Sequence, residues 1–310
     1  MTITSWIYQN RIIARSSRII NLLESVRKHL IKFYQDPPCQ MKIHGMEMTI
    51  PLSHNLPIYL NDYPLYDQLP KRLSKFIHSR HGRVQCIDVG ANVGDTVAAF
   101  RLNHNDTFLA IEPNPNFRKY LDLNWGSDPQ IKILPFICSS KEIHGNFSIH
   151  EIHGTASIKE SDHGSDMESK TLDQITTEYT DFITPNIIKV DTDGHDFEVV
   201  MGASHFLTKH RPALLFECDS FSNKNYVPDC IALLKSLSDF GYNQFMVYDN
   251  FGQLFGTFDL NDLTPFKNLL FYQMTTSFYY FDLLFMNDED LHLFSKSEVT
   301  EIVNRTQVNW

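Results

Sequence analysis

Val84-Gln85-Cys86-Ile87-Asp88-Val89-Gly90-Ala91-Asn92-Val93-Gly94-Asp95 is an apolar run that stops at an acid and breaks into small, glycine-punctuated residues. The pattern predicts a buried strand, a tight loop and the first turn of a helix. In an open α/β sheet, ligands sit in the crevice outside the carboxyl ends of the strands, so this loop marks where function is expected.

Outward from the loop, strand-like and helix-like runs alternate. Further strands are expected at Thr107 to Ile111, Ile131 to Ile137, Asn186 to Val190, Ala213 to Glu217, Gln244 to Val247 and Phe281 to Phe285. Helical patterns fall at Thr96 to Leu102, Asn116 to Leu123, Asp196 to Leu207 and Asp229 to Asp239. Such alternation predicts an α/β fold with a mostly parallel sheet and helices on both faces. Upstream, residues 5 to 34 carry apolar residues at three- and four-residue spacings with basic residues between them, and read as one helix ended by Asp36-Pro37-Pro38. The expected organisation is therefore a basic amphipathic helix over 1–36, a lead-in over 37–80 that packs on the main domain, and the main domain over 81–310.

Composition narrows the function classes. Of 310 residues, 42% are hydrophobic and 21% charged, as in ordinary globular proteins. The net charge of -10 argues against nucleic-acid binding, which needs clustered Lys and Arg. The first 35 residues depart from that balance, with Arg11, Arg15, Arg18, Arg27, Lys28 and Lys32 against Glu24 alone. A basic amphipathic helix can lie on an anionic membrane, bind a protein partner or pack on its own domain. Five cysteines (Cys39, Cys86, Cys138, Cys218, Cys230) form no C-x-x-C pair, which excludes a zinc ribbon and points to free thiols in a reducing cytosol. No apolar run reaches the roughly 18 residues of a transmembrane helix, and no secretory leader is visible.

The loop resembles a dinucleotide fingerprint without matching it. G-x-G-x-x-G requires glycines where Asn92 and Asp95 stand, and the second of its glycines exists to let backbone approach a pyrophosphate. Asparagine and aspartate there suit a ligand without phosphate. The next strand ends Ile111-Glu112-Pro113-Asn114-Pro115, which places Glu112 22 residues after Gly90. An acid at roughly 20 residues accepts ribose hydroxyls, so the pair points to a nucleoside ligand. Alternatively, Glu112 caps the following helix.

With these residues in view, the chain resembles the FkbM-type methyltransferases, which use S-adenosylmethionine. The resemblance rests on Ile87 to Asp95, Ile111 to Pro115, Thr171-Leu172-Asp173, Ile188-Lys189-Val190-Asp191-Thr192-Asp193-Gly194, Leu214 to Glu217 and Asp282 to Phe285, with Ser53-His54-Asn55-Leu56-Pro57 and Tyr66-Asp67 as lead-ins. It spans roughly residues 50 to 290. It implies a Rossmann-like, seven-stranded sheet whose last strand is antiparallel and inserted beside the edge. By position, Gly90, Ala91, Asn92 and Gly94 would pass beneath the methionine part of the cofactor, and Glu112 would hold the ribose. Cys138 and Ser139 would sit near the adenine, Asp88 would support the loop or the cofactor amine, and Asp191 would face the methyl-transfer site.

After the fourth strand the commoner family form has an aspartate, a variable residue, then Glu, Gly, Ala and Glu. This chain instead has Asp191-Thr192-Asp193-Gly194-His195-Asp196. Methyl transfer is an in-line displacement helped by positioning and, for a hydroxyl acceptor, by a base; Asp191 and His195 are the candidate catalytic residues. In the alternative, Asp193 and Gly194 form a turn, Asp196 starts the next helix and His195 points to solvent. His150-Glu151-Ile152-His153 is one residue too short for a zincin helix, and the aspartates do not fit a calcium loop, so no metal is expected. Glu151 to Ile158 is a candidate lid. The resemblance implies S-adenosylmethionine-dependent O-methylation of a sugar or glycan-type hydroxyl. The competing readings are an NAD-dependent oxidoreductase and a catalytically idle cofactor-binding module.

Overall fold

The computed structural model describes residues 2–152, 155–160, 164–182, 184–220, 223, 225–276, 278 and 280–306. The chain opens with helices α1 (Ile3–Ile13) and α2 (Ser17–Phe33) and a hairpin of β1 (Pro38–Ile43) and β2 (Met46–Pro51). Two helices follow, α3 (Leu56–Asp62) and α4 (Leu69–His81). The main alternation is β3 (Gln85–Val89), α5 (Asp95–Phe100), β4 (Thr107–Ile111), α6 (Pro115–Trp125) and β5 (Ile131–Leu134). An insertion then contributes β6 (Ile137–Cys138), β7 (Ile143–Ile152), β8 (Thr155–Glu160), β9 (Ser165–Lys170) and α7 (Leu172–Glu178). The remainder is β10 (Ile187–Val190), α8 (Asp196–Met201), α9 (Ser204–His210), β11 (Ala213–Asp219), α10 (Tyr226–Asp239), β12 (Gln244–Asp249), β13 (Leu254–Asp259), α11 (Thr264–Thr275), β14 (Tyr280–Phe285) and α12 (Asp288–Thr306).

The main sheet has eight strands in the order β13-β12-β14-β11-β10-β3-β4-β5. Strands β5, β4, β3, β10 and β11 run parallel, and β14 inserts antiparallel between β11 and β12. This is the α/β arrangement expected, with one strand more than seven. The addition, β13, hairpins onto β12 at the edge and shows the alternating exposure of a half-solvated strand. Strand β3 is buried at every position, as a central parallel strand should be. The two faces are packed by separate cores, one around Ile87, Val190, Phe216 and Leu283, the other around Leu215, Met246, Leu284 and the upstream residues Tyr8, Met41 and Ile50.

Local chemistry sets the element ends. Asn114 caps α6 through its side-chain oxygen, with Pro115 following. Thr171 and Gln174 form a reciprocal capping box on α7. Three expectations are corrected. The single helix over 5–34 is two, because Ala14 and Ser16 are extended and the chain folds back so that Arg27 lies 4.5 Å over the Tyr8 ring. The helix over Asp196 to Leu207 breaks at Gly202, where backbone sits on backbone and a Cβ would lie 2.2 Å from the Ser139 carbonyl oxygen. The strand over Ile131 to Ile137 ends at Leu134. Pro135 cannot donate to a ladder, and Ile137–Cys138 joins the separate sheet β6-β9-β7-β8. All five cysteines are free and buried. No helix among the described residues is long and apolar enough to cross a membrane.

Candidate functional site

Strand order reverses at β3. The chain moves from β3 to β4 on one side and returns, through the insertion, to β10 on the other. A crevice opens outside the carboxyl ends of β3 and β10, where such a reversal places ligands. It is a cleft open to solvent, lined among others by Gly90, Asn92, Asp95, Glu112, Phe117, Lys189, Asp191 and Asp193.

The loop after β3 is fixed by its own backbone. Gly90 and Ala91 donate to the Ile111 carbonyl at 2.9 and 3.1 Å, and Gly94 donates to Ala91 at 2.8 Å. Gly90 has φ 80°, and a Cβ there would lie 1.8 Å from the Asp191 carbonyl oxygen, so glycine is required by the approach of the two strand ends. Gly94 has φ 85° and packs against the Trp125 indole, whose Nε1 donates to the Gly94 carbonyl at 2.9 Å.

Glu112 sits at the end of β4 and is only 5% exposed. Its Oε2 accepts the Asn92 N–H and its Oε1 the Asn114 N–H, both at 2.8 Å. One acceptor site on each oxygen remains for a ligand's hydroxyl donors. Burial pushes its carboxyl up to about 7, against the pull of those two N–H groups.

The register pairs Lys189 with Asp88 on adjacent strands, on one face of the sheet. Lys189 Nζ lies 3.5 Å from Asp88 Oδ1 and 3.1 Å from Asp191 Oδ2. Burial opposes the charge on Lys189, yet Asp191 and Asp88 hold its ammonium well above the ordinary lysine range. Burial also raises Asp88 to about 6, and its two oxygens make no hydrogen bond. Asp95 is raised to about 7 by burial and by Asp67. On the same face, burial and neighbouring carboxylates push Glu217 and Asp282, in-register partners on β11 and β14, well above the carboxylate range.

The opposite wall comes from far upstream. His54, Asn55, Leu56, Tyr59 and Tyr66 line the cleft. The His54 imidazole is lowered to about 4 by burial and stays neutral, and its Nδ1 accepts the Leu56 N–H at 3.3 Å. Arg27, on α2, donates to the carbonyls of Leu52 and Ser53 and to Asn55 Oδ1 at 2.8, 2.8 and 3.0 Å, which clamps this wall. The hairpin of the insertion meets the rim where Asn114 and Asn116 Nδ2 donate to Glu151 Oε1 at 2.9 and 2.8 Å.

Of the residues singled out in the sequence, Gly90, Asn92, Glu112 and Asp191 come together in the cleft. Asp88 is buried beside the lining Lys189. Ala91 and Gly94 lie outside the lining and shape the loop from within. Cys138 is a core residue of the β6 strand, and Ser139 has its hydroxyl 3.4 Å from Glu198, so neither lines the cleft. His195 also lies outside it. Asp193 and Gly194 take left-handed conformations, φ 50° and 103°, which leave Asp193 at the cleft and carry His195 to the N-terminal end of α8. His150 and Glu151 belong to a strand, which rules out a zincin helix there; His153 and Gly154, within the candidate lid, lie outside the described residues. Lys189 and His54 were not singled out for the site. A lysine inside the buried run Ile187-Ile188-Lys189-Val190 was the available signal for the first.

Among the described residues, the cleft lining carries the acids Asp95, Glu112, Asp191 and Asp193 and the lysine Lys189. That balance repels a pyrophosphate and suits a nucleoside carrying positive charge, whose hydroxyls Glu112 can accept. A family model described as the methyltransferase FkbM domain matches residues 88–243. No curated protein sequence matches the chain. Among solved structures, the chain is similar to a methyltransferase FkbM from Methylobacillus flagellatus, at 13% identity and TM-score 0.40, over 90% of this chain and 58% of that one. It is also similar to a precorrin-6y C5,15-methyltransferase from Geobacter metallireducens, at 10% identity and TM-score 0.34, over 70% of this chain and 87% of that one. A fibrillarin from Aeropyrum pernix with natively bound S-adenosyl-L-methionine matches at 10% identity and TM-score 0.35, over 66% of each chain.

Proposed function

The chain belongs to the FkbM family of S-adenosylmethionine-dependent methyltransferases, and from that membership we propose that it methylates a hydroxyl of a sugar or glycan-type acceptor. The residues of the cleft fit the cofactor. Glu112 keeps free acceptor sites for the ribose hydroxyls, and the Asp95 carboxylate complements an amine. When bound, S-adenosylmethionine supplies an electrophilic methyl group; the chain's own residues hold the two reactants and manage one proton.

The observation that carries the choice of oxygen is Asp191. Its side chain is 47% exposed, while Lys189 fixes one of its oxygens at 3.1 Å. It is a carboxylate held in place yet open to an incoming acceptor, directly after the cofactor loop's neighbouring strand. In this reading Asp191 takes the hydroxyl proton as the oxygen acquires the methyl group, and Lys189 and Asp88 behind it hold its orientation. His195, outside the cleft, takes no part.

The test is methyl transfer from labelled S-adenosylmethionine to a panel of mono- and oligosaccharides, with peptides and small amines as the contrasting arm. Loss of a general base should lower kcat for Asp191→Asn by roughly a hundredfold or more, with binding of S-adenosylhomocysteine within about twofold of the parent. Methylation confined to the amine arm, or an Asp191→Asn variant with full kcat, overturns the reading.

A further inference from the structure

We propose that the outer face of the α1–α2 hairpin is a docking surface for an anionic lipid membrane. Helix α2 has two working faces. Leu23, Arg27, Leu30 and Ile31 turn inward, and Arg27 clamps the cleft wall. On the solvent side, Ile19, Leu22, Val26 and Phe33 recur at three-, four- and seven-residue intervals, which puts them in one stripe. Leu22 is 64% and Phe33 67% exposed, values that leave both largely in water. Single exposed apolar residues are ordinary; four along one helix face, with the exposed His29 ring centred 4.2 Å from that of Phe33 between them, mark an interaction surface. Helix α1 adds exposed Ile3, Trp6 and Ile13.

Charge identifies the occupant. Arg18, Lys28 and Lys32 are exposed beside the stripe, and Arg15 stands in the turn before it. The one acid of the first 35 residues, Glu24, is engaged by Arg11 and Arg27 at 3.3 and 3.0 Å. The rest of the chain carries the excess acid, for a net charge of -10 overall. A surface combining an apolar stripe with a basic flank matches the acyl boundary and headgroups of an anionic bilayer. A nucleic acid would satisfy the cations and leave the stripe in water. A second copy would bring two basic flanks together.

Because Arg27 ties the inner face of the same helix to Leu52, Ser53 and Asn55, the docking surface is fastened to the wall of the cleft. The reading is independent of the acceptor's identity.

The test is co-sedimentation of the full chain with phosphatidylcholine vesicles and with vesicles of phosphatidylcholine and phosphatidylglycerol, at low and high salt. The protein should pellet with the anionic vesicles alone and be released by salt. Neutralising one basic residue should lower partitioning about fivefold, so Arg18→Gln with Lys32→Gln should lower it by more than about tenfold. Leu22→Gln with Phe33→Gln should lower it by roughly tenfold or more. Both double variants lie on the exposed face and should keep the parent's thermal shift with S-adenosylhomocysteine, which separates lost docking from lost folding. The proposal is overturned if the parent stays in the supernatant, pellets equally with neutral vesicles, or pellets unchanged in both variants. It is also overturned if sedimentation velocity shows a dimer that the Leu22→Gln, Phe33→Gln variant dissolves, or if only an acidic protein partner is held by this face.

Discussion

Replacing Glu112 by glutamine exchanges one oxygen of a buried carboxylate for an N–H donor at a place where both oxygens already accept backbone N–H groups at 2.8 Å. The amide can satisfy one of Asn92 and Asn114; the other is left facing a donor, at about 1–3 kcal/mol. The variant also offers one acceptor oxygen to the cofactor ribose where the parent offers two. Loss of one charge-assisted hydrogen bond, at about 1.5–3 kcal/mol, corresponds to weaker S-adenosylhomocysteine binding by roughly 10- to 150-fold. Stability should respond to pH in the opposite sense. The parent's carboxyl is raised from 4.5 to about 7 by burial. Below about 4.5 it is protonated in both folded and unfolded chains and the ionisation penalty is absent. As pH rises through about 7 the penalty comes fully into force, at about 3 kcal/mol for such a rise. Between the two pH values the ligand-free parent therefore loses this much more stability than Glu112→Gln does. The assays are calorimetric titration with S-adenosylhomocysteine and urea unfolding at acidic and mildly alkaline pH. Unchanged affinity would refute the ribose assignment, and parallel pH dependence of parent and variant would refute the burial argument.

Two further perturbations test the frame of the site. Gly90→Ala should destabilise by about 3 kcal/mol or more, since it adds left-handed strain to a collision with backbone; Gly82→Ala, at φ 76° with nothing within 4 Å, should cost only about 1–2 kcal/mol. Comparing their thermal midpoints checks this, and equal losses would show that β3 and β10 do not meet as described. Arg27→Met removes three bonds to the Leu52–Asn55 segment from a residue 3% exposed, and should cost about 3–5 kcal/mol in urea unfolding. Where the variant folds, S-adenosylhomocysteine should bind severalfold more weakly as His54 and Asn55 loosen; parent-like affinity would mean that the clamp does not set the wall.

Much of the fold was legible because its signals are local. The run into Asp88, the glycines of the following loop and the acid at 112 each follow from apolar periodicity and turn chemistry within a dozen residues. Other features were not legible because their causes are distant. The break at Gly202 depends on the distant Asp173, whose N–H donates to the Gly202 carbonyl and whose carboxylate accepts the His205 and Phe206 N–H groups that open the next helix. The helix break near Ala14 lets Arg27 reach Tyr8, and the extra strand β13 depends on the hairpin with β12. Cys138 and Ser139 lay outside the cleft because the chain leaves the main sheet at Pro135.

By itself, the sequence determined an alternating α/β chain, a glycine-bounded loop without the spacing for pyrophosphate, and the positions of Glu112 and Asp191. Those depend on residue type and on spacing along one strand or turn. Only the tertiary structure decided that Lys189 faces Asp88, that His54 and Asn55 close the cleft and that His195 stands outside it. Sheet order and register bring Asp88 and Lys189, about a hundred residues apart, to ion-pairing distance, and the left-handed pair at Asp193 and Gly194 carries the chain from the cleft to the start of α8, where His195 stands.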